Sequence, residues 1–400
     1  MLKPNDIAIV SGARTPMGRY CGKLRDFTAM ELAAIASKCA IQRAGLEPAE
    51  FDHAVFGNAQ QTSGDALYGA RHVALQAGLP IETPALTVNR LCGSGMQAIV
   101  NGAQMLQLGE AKLVLAGGME SMSQAPHVIR GARWGFGLGE GKMEDSLMVA
   151  LLDTYCGLYM ANTAEIYAEQ QGITREAQDE FAMRSQATAD AAYKAGRLQE
   201  EIVAVQLKDK RGNPTGESFS EDDHRRPQTT LEGLAKLKPA FGKNGTVTAG
   251  NASGIVDGGA AVVLMPIEEA QRRNLKPLGR IVSWGIAGVE PRVMGRGPVP
   301  ASRMALEKAG LKLGDIDLIE VNEAFAAQYL AVEKELGLDR NKVNVNGGAI
   351  ALGHPLGATG TRLVITLLYE LRRRKKKYGL ATACIGGGQG IAMIVESLQN

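Results

Sequence analysis

Ala44-Gly45-Leu46 closes a helical stretch and a strand-like run from Phe51 to Asn58 follows; Ala309-Gly310-Leu311 closes another, followed by a strand-like run from Ile316 to Asn322. The two passages lie 265 residues apart, 309 less 44, and the same offset pairs Asp52 with Asp317. Working outward, the likeness continues with gaps. Val88-Asn89 ends an apolar run just before Cys92, as Val345-Asn346 ends one just before His354. Each is followed by a long helical pattern, Met96 to Leu108 and Thr361 to Leu371. Then come apolar strands, Lys112 to Ala116 and Ala381 to Ile385, which close on Gly117-Gly118 and on Gly386-Gly387-Gly388. The second copy turns directly into a strand from Ile391 to Val395. In the first copy the counterpart is Ala260 to Met265, after Asp257-Gly258-Gly259, so the segment from about Met122 to Gly250 reads as an insertion large enough to be a subdomain.

A repeat of this size points to a duplicated α/β domain. Helix and strand alternate, and the strands are unbroken Val/Ile/Leu/Ala runs, which predicts mostly parallel sheets covered by helices on both faces. Two such halves packed about a pseudo-twofold axis bring equivalent positions together. Cys92 and His354 are equivalent, each after a strand and just before a helix, where open α/β sheets bind their ligands.

Composition narrows the function classes. The 400 residues hold 44 basic and 42 acidic side chains, a net charge of +2, which gives no argument for a nucleic-acid partner. Five cysteines, Cys21, Cys39, Cys92, Cys156 and Cys384, form no CxxC pair; this argues against a disulfide framework or a metal site and fits a reducing compartment. No signal peptide, transit peptide or long apolar span is expected, nor a membrane partner, and Ser397-Leu398-Gln399-Asn400 is not a peroxisomal address, so the cytoplasm is the expected location. The basic run Arg372 to Lys377 follows the apolar helical stretch Leu363 to Leu371 and reads as a solvated helix C-terminus, where cations are favoured.

Chemistry concentrates at the glycine-rich strand ends. Cys92 lies in Arg90-Leu91-Cys92-Gly93-Ser94-Gly95-Met96; small neighbours admit a substrate, and a helix N-terminus favours thiolate, the nucleophilic form. A buried structural cysteine is the alternative. His354, in Gly353-His354-Pro355, is placed either to polarise a carbonyl or take a thiol proton, or to serve as a hydrogen-bonded loop residue. The other histidines, His53, His72, His127 and His224, sit in no comparable setting and read as structural. Asn322, in Asn322-Glu323-Ala324-Phe325, is either a helix N-cap or the holder of a water aimed at an oxyanion. Cys384, ahead of Ile385-Gly386-Gly387-Gly388, is a candidate acid/base, since thiol pKa values are tunable toward neutrality. A Claisen-type reaction needs one sulfur to hold an acyl group, a second group to move a proton on the carbon alpha to a thioester, and two oxyanion sites.

The blocks Asn89 to Gly95, Asn322 to Phe325, Gly353-His354-Pro355 and Cys384 to Gly388 together resemble the thiolase family, and the similarity runs essentially end to end, including Ser11 to Pro16 and Gly245 to Ser253. The resemblance implies a thiolase-like α/β fold: two mixed, mostly parallel sheets with helices in α-β-α-β-α layers, plus an inserted loop domain. The N-terminal half would be residues 1–121 and 252–274, the loop domain 122–251 and the C-terminal half 275–400. It implies an acyltransferase that moves acetyl or acyl groups to and from coenzyme A by reversible Claisen condensation or thiolysis of 3-ketoacyl-CoA. No tightly bound cofactor is implied; coenzyme A and acyl-CoA are substrates. Cys92 would carry the acyl group. His354 would activate Cys92 and, with a water on Asn322, bind the enolising thioester. Cys384 would shuttle the alpha proton, and the backbone N–H groups of Cys92 and Gly386 would form the second oxyanion hole. Arg226 matches an adenine-side contact, Ser253 a pantetheine contact, and Leu151, Met160, Phe241, Ala249, Ala324 and Phe325 match apolar walls, for which ordinary core packing is the alternative. Gln124 to Lys142, rich in glycine and arginine, resembles the arm that joins dimers into tetramers, or is a solvated loop.

One position departs from the family's pattern. Acetoacetyl-specific members often carry His-Met where this chain has Tyr159-Met160, which leaves chain-length preference open; Arg226 to Thr230 and Asn346 to His354 look most like broad-range 3-ketoacyl-CoA members. Two other readings compete. A 3-ketoacyl synthase of the same fold usually places histidine or asparagine where Cys384 stands, and a non-catalytic scaffold would not need all four catalytic groups.

Overall fold

The computed structural model describes residues 6–209 and 211–398; Gln399 and Asn400, half of the C-terminal tetrapeptide read above, lie outside them. The strands of the main sheet are β1 (Ile7–Arg14), β2 (His53–Asn58), β3 (Ala85–Val88), β4 (Val114–Ser121), β5 (Val256–Pro266), β6 (Gly279–Gly288), β7 (Leu318–Val321), β8 (Tyr378–Ile385) and β9 (Gln389–Ser397). Their order is β7-β8-β9-β6-β1-β5-β4-β2-β3, with the two-residue strand Gly18–Arg19 beside β5. That order contains one motif twice. β1-β5-β4-β2-β3 matches β6-β9-β8-β7, and the parallel bridge between Ile319 and Val343 stands where β2 pairs with β3. The two half-sheets meet along an antiparallel ladder of three residue pairs, Ile7–Ile9 against Gly279–Ile281.

The repeat read from sequence has a local cause. The helices α1 (Ala29–Ala44) and α6 (Pro298–Ala309) end on Gly45 and Gly310, with φ of 68° and 65°, a left-handed cap that glycine adopts without strain. Their N–H groups close the last turns onto Gln42 O and Glu307 O. Asp52 and Asp317 are matched too: each carboxylate accepts the two backbone N–H groups that open the neighbouring strand, Lys112 and Leu113 in one half, Lys377 and Tyr378 in the other.

Five layers result. α1 and α2 (Gly69–Ala77) cover the outer face of the first half-sheet. α6 and α7 (Ala326–Leu336) cover that of the second. Between the half-sheets lie α3 (Ser94–Leu108) and α8 (Leu356–Arg374), in the largest apolar core. α8 is buried at every residue from Leu356 to Leu371, and its sequence there is apolar or small apart from Arg362, Tyr369 and Glu370, whose charges are paired: Arg362 with Glu320 and Glu370 with Arg374. Its basic end, Arg372 to Arg374, forms ion pairs with Glu200 and Glu370. The two central helices touch through glycine: a Cβ on Gly360 would stand 2.4 Å from Met96 N, and one on Gly95 2.6 Å from Gly357 O.

The layered duplicated fold is as expected, but the mostly parallel ladders are not. Among the described residues, isolated bridges apart, parallel ladders are confined to β2 with β3 and β4, and to β7 with β8; β1, β4, β5, β6, β8 and β9 are joined by antiparallel ladders. A strand buried on both faces reads as a continuous apolar run whichever way it points, so the pattern carried no direction.

Between β4 and β5 the chain makes a long excursion containing α4 (Met160–Gln170) and α5 (Arg175–Lys194). Arg14, from the Ser11-to-Pro16 block, anchors it: the guanidinium is 1% exposed and pairs with Glu201 at 2.6 Å and Asp222 at 2.7 Å, bidentate with the latter. Breaking such a buried, fully partnered cluster is far more damaging than breaking a surface pair. In the early part of the excursion, His127–Ile129 pairs with Met143–Asp145 and the connecting loop exposes Trp134 and Leu138. Among the described residues no helix is long and apolar enough to cross a membrane.

Candidate active site

Cys92 stands on a strained turn. Leu91 takes φ 46°, a conformation that costs a leucine on the order of 1–3 kcal/mol. It is held there from both sides: Leu91 N donates to Asn89 Oδ1 (2.9 Å), and Leu91 O accepts from Ser94 Oγ (2.7 Å), which itself accepts from Arg90 N (2.8 Å). The turn Leu91–Gly93 runs straight into α3, which leaves the Cys92 side chain facing a cavity rather than the core.

His354 comes from the equivalent turn ahead of α8. Gly353, at φ 105°, leads into it; a Cβ there would strain the backbone and lie 2.4 Å from Val256 Cγ1. The His354 N–H donates to Gly254 O at 2.9 Å. Thr359 Oγ1 lies 2.6 Å from His354 Nδ1 and gives its own proton to Pro355 O at 3.0 Å, so Nδ1 carries a proton and donates. Nε2 is left with its lone pair, which accepts from Asn322 Nδ2 at 3.3 Å. Burial, and then the Arg362 guanidinium, draw the His354 pKa down to about 3, so the ring is neutral at physiological pH.

Asn322 is fully buried and is not a helix cap, the first of the two roles its sequence left open. α7 begins at Ala326 with Phe325 at the cap position, because Asn322 N is already committed to Thr382 O across the β7–β8 edge. The Asn322 Oδ1 has no partner among the described residues.

The two thiols behave differently from the sequence expectation. Burial raises the Cys92 pKa to about 11; the N–H groups of Gly386 and Cys92 pull it down and Glu120 pushes it up. The helix terminus therefore does not win, since loss of water around a thiolate outweighs two N–H dipoles. Cys384, near the end of β8, is also pushed up, by burial and then by Cys92, rather than toward neutrality. At rest the site is thiol, thiol and neutral imidazole. Gly386 closes the arrangement: its N–H points at Cys92, and a Cβ on it would press on Leu91 Cδ1 at 3.0 Å and Met160 Sδ at 3.3 Å.

Cys92, His354 and Cys384 border one cavity of about 480 Å³. Its remaining walls include all eight residues singled out on the coenzyme side: Leu151, Met160, Arg226, Phe241, Ala249, Ser253, Ala324 and Phe325. A second cavity of about 510 Å³ adjoins it, sharing His224, Arg226 and Ala249 with the first. Together they form a mostly apolar approach, with cationic Arg226 where the two meet. His224 was read as structural, yet it lines both cavities, with its pKa drawn down to about 4 by burial and then by Arg226. Its place two residues before Arg226 was the only signal. Tyr20, Met122 and Met294 also line the wall from segments remote in sequence. Thr359, which fixes the tautomer of His354, was likewise not foreseen, although a hydroxyl five residues on, within the next helical turn, can reach back to it.

Residues 7–268 match the family described as "Thiolase, N-terminal domain" and residues 275–397 that described as "Thiolase, C-terminal domain". The chain is 53% identical over 392 residues to human mitochondrial 3-ketoacyl-CoA thiolase, covering 98% of each. It is 50% identical over 392 residues to an acetyl-CoA acetyltransferase of Cupriavidus necator, covering 98% of this chain and 99% of that one. Among solved structures, human mitochondrial 3-ketoacyl-CoA thiolase in complex with CoA superposes with a TM-score of 0.95 at 52% identity, covering 98% of both chains.

Proposed function

The chain belongs to the thiolase family and is an acyltransferase, and from that premise we propose that Cys92 accepts an acetyl or acyl group from coenzyme A thioesters, in thiolysis of 3-ketoacyl-CoA and in its reverse, condensation of two acetyl-CoA. The observation that carries this reading is that Cys92, Cys384 and His354 border one cavity, with the Nδ1 proton of His354 committed to Thr359 so that Nε2, now accepting from Asn322 Nδ2, is the ring nitrogen left to take a proton. Cys92 gives its proton to Nε2 and its sulfur adds to the thioester carbonyl. The new oxyanion is held by the N–H groups of Cys92 and Gly386. Coenzyme A departs as the thiol, taking the proton back from His354, and leaves acyl-Cys92. In condensation, Cys384 passes its proton to His354 Nε2 and as thiolate removes the alpha proton of a second acetyl-CoA, while the enolate oxygen accepts from the Nε2–H of His354 and from a water held on the free Oδ1 of Asn322. The enolate carbon attacks acyl-Cys92, whose sulfur leaves as thiolate and takes the proton from His354. Thiolysis runs these steps backwards.

Coenzyme A would lie along the apolar approach, adenine end toward Arg226 and pantetheine past Ser253, between the walls named above. We divide the chain as residues 1–121 with 252–274, 122–251, and 275–400, the middle segment covering coenzyme A. A homo-oligomer is supported by exposed apolar side chains at the β3 edge and, for a tetramer, by the Trp134 arm. We place the protein in a reducing compartment, the cytoplasm by our reading, in keeping with five unpaired cysteines.

The test is trapping. Mixing with acetyl-CoA, proteolysis and mass spectrometry should find acetyl on the Cys92 peptide, and free coenzyme A should discharge it. No label on Cys92 in active protein rejects the assignment. Thiolysis rate against 3-ketoacyl chain length then fixes the substrate range, which Tyr159 in the cavity wall bears on.

A further inference from the structure

Glu120, on β4, takes no part in the transfers above, yet it is wholly buried next to them. Its two oxygens accept four hydrogen bonds. Oε1 receives Asn58 Nδ2 and Gln60 N, each at 3.0 Å; Oε2 receives Ala59 N at 3.1 Å and Gly357 N at 2.8 Å. Three of these donors follow one another at the end of β2, in the first half of the molecule. The fourth belongs to the His354-Pro355-Leu356-Gly357 turn, in the second half.

The β2 end is in turn tied to the nucleophile. Asn89 Nδ2 donates to Ala59 O at 3.0 Å, and the same side chain's Oδ1 holds the strained Leu91 N–H at 2.9 Å. Glycines let these pieces close up: a Cβ on Gly57 would lie 2.4 Å from Ser94 C, and one on Gly118 2.0 Å from Gly357 O. A single carboxylate is therefore the common acceptor of the His354 turn and of the β2 end, which Asn89 ties to the Cys92 turn. Four donors on two oxygens call for the ionised form, since a protonated carboxyl would present an O–H to donors. Burial nevertheless draws the Glu120 pKa up to about 7, against the N–H groups of Gly357, Gln60 and Ala59, with Asp257 of β5 pushing the same way as burial.

We propose that Glu120 is a positioning residue whose carboxylate sets the Cys92 turn and the His354 turn in register across the junction of the two halves. The inference rests on Cys92 being the acyl acceptor. A second effect comes with it: the same negative charge disfavours the Cys92 thiolate in the empty site. Glutamine has one acceptor oxygen and would turn an NH2 group against N–H donors, so the two turns would part. Misplacement by about 1 Å costs a rate on the order of 100-fold.

The test uses the full-length protein and two variants, E120Q and E120D. Three quantities are read: the single-turnover rate of Cys92 acetylation by acetyl-CoA, the Kd for coenzyme A, and the pH dependence of Cys92 alkylation by iodoacetamide without substrate. For E120Q we expect acetylation slowed by roughly 100-fold. We also expect coenzyme A binding kept within about threefold, as for a group acting in the chemical step, and an alkylation curve moved to lower pH. E120D should return the alkylation curve toward that of the wild type, because the charge is back, while acetylation stays slow, because the shorter arm cannot reach both turns. A merely structural glutamate would not separate charge from reach in this way. Wild-type acetylation in E120Q, or in E120D should E120Q not fold, overturns the inference, and so does an E120Q alkylation curve that has not moved. Absence of acetylation in the wild type would instead reject the functional reading itself.

Discussion

At Cys92, position in the fold works against the ionisation that chemistry requires, and His354 resolves the conflict. Burial holds the thiol up to about 11 and the imidazole down to about 3, so neither is charged in the free enzyme. Since His354 is neutral above about pH 3, it should produce no acid limb between pH 5 and 8 in the turnover profile; an acid limb that disappears in a His354 variant would contradict this. For the same reason alkylation of Cys92 in the free enzyme should still be rising at pH 10, where an ordinary cysteine with a pKa of about 8.5 has levelled off. Cys92→Ser should nearly abolish turnover while coenzyme A binding, measured by calorimetry, stays largely intact. Cys384→Ser should leave acetyl transfer to Cys92 in place and stop carbon–carbon chemistry. Thr359→Val removes the acceptor that fixes the His354 tautomer; losing one hydrogen bond of about 1 kcal/mol predicts roughly a fivefold lower kcat with KM little changed. The reactive residues could be found in the sequence because each sits in a glycine-flanked block at a strand end. Their ionisation could not. The helix-terminus rule for Cys92 was sound but smaller than desolvation, and desolvation depends on walls such as Met122 and Met294, contributed from distant segments.

Two elements, α3 and α8, decide whether the site exists at all. They approach through Gly95 and Gly360 closely enough that the N-termini of both, and so Cys92 and His354, face one cavity. Gly360→Ala places a methyl group 2.4 Å from Met96 N, against backbone that cannot swing aside. Overpacking of this kind costs about 1–3 kcal/mol, so we expect a lower denaturation midpoint together with slower Cys92 acetylation. Stability falling with the acetylation rate unchanged would show that helix spacing does not set the chemistry. At this scale the sequence was informative where glycine and aspartate mark positions: Gly45 with Gly310 as caps, Asp52 with Asp317 as strand anchors. It was silent on strand direction, because hydrogen-bond sense leaves no trace in an apolar run.

For the whole molecule, the first half-sheet ends at β3, whose outer edge has no strand partner among the described residues. Near it in sequence, Leu67 is 76% exposed, Ile81 73% and Tyr68 60%. An open edge flanked by apolar side chains is a surface for another chain. We expect a dimer by sedimentation, and Leu86→Lys, on β3 itself, should shift it toward monomer; a wild-type monomer, or a variant dimer of unchanged strength, would refute this use of the edge. The duplication also bears on biosynthesis. Cys92 comes from the first half, while His354, Cys384 and Asn322 come from the second, and a seam of three residue pairs among the described residues joins the half-sheets. While the ribosome is still making the second half, an emerged first half carries Cys92 without His354, Cys384 or Asn322. A truncated product therefore has no means of acylating itself, and reactivity arrives in one step, when the last strands dock.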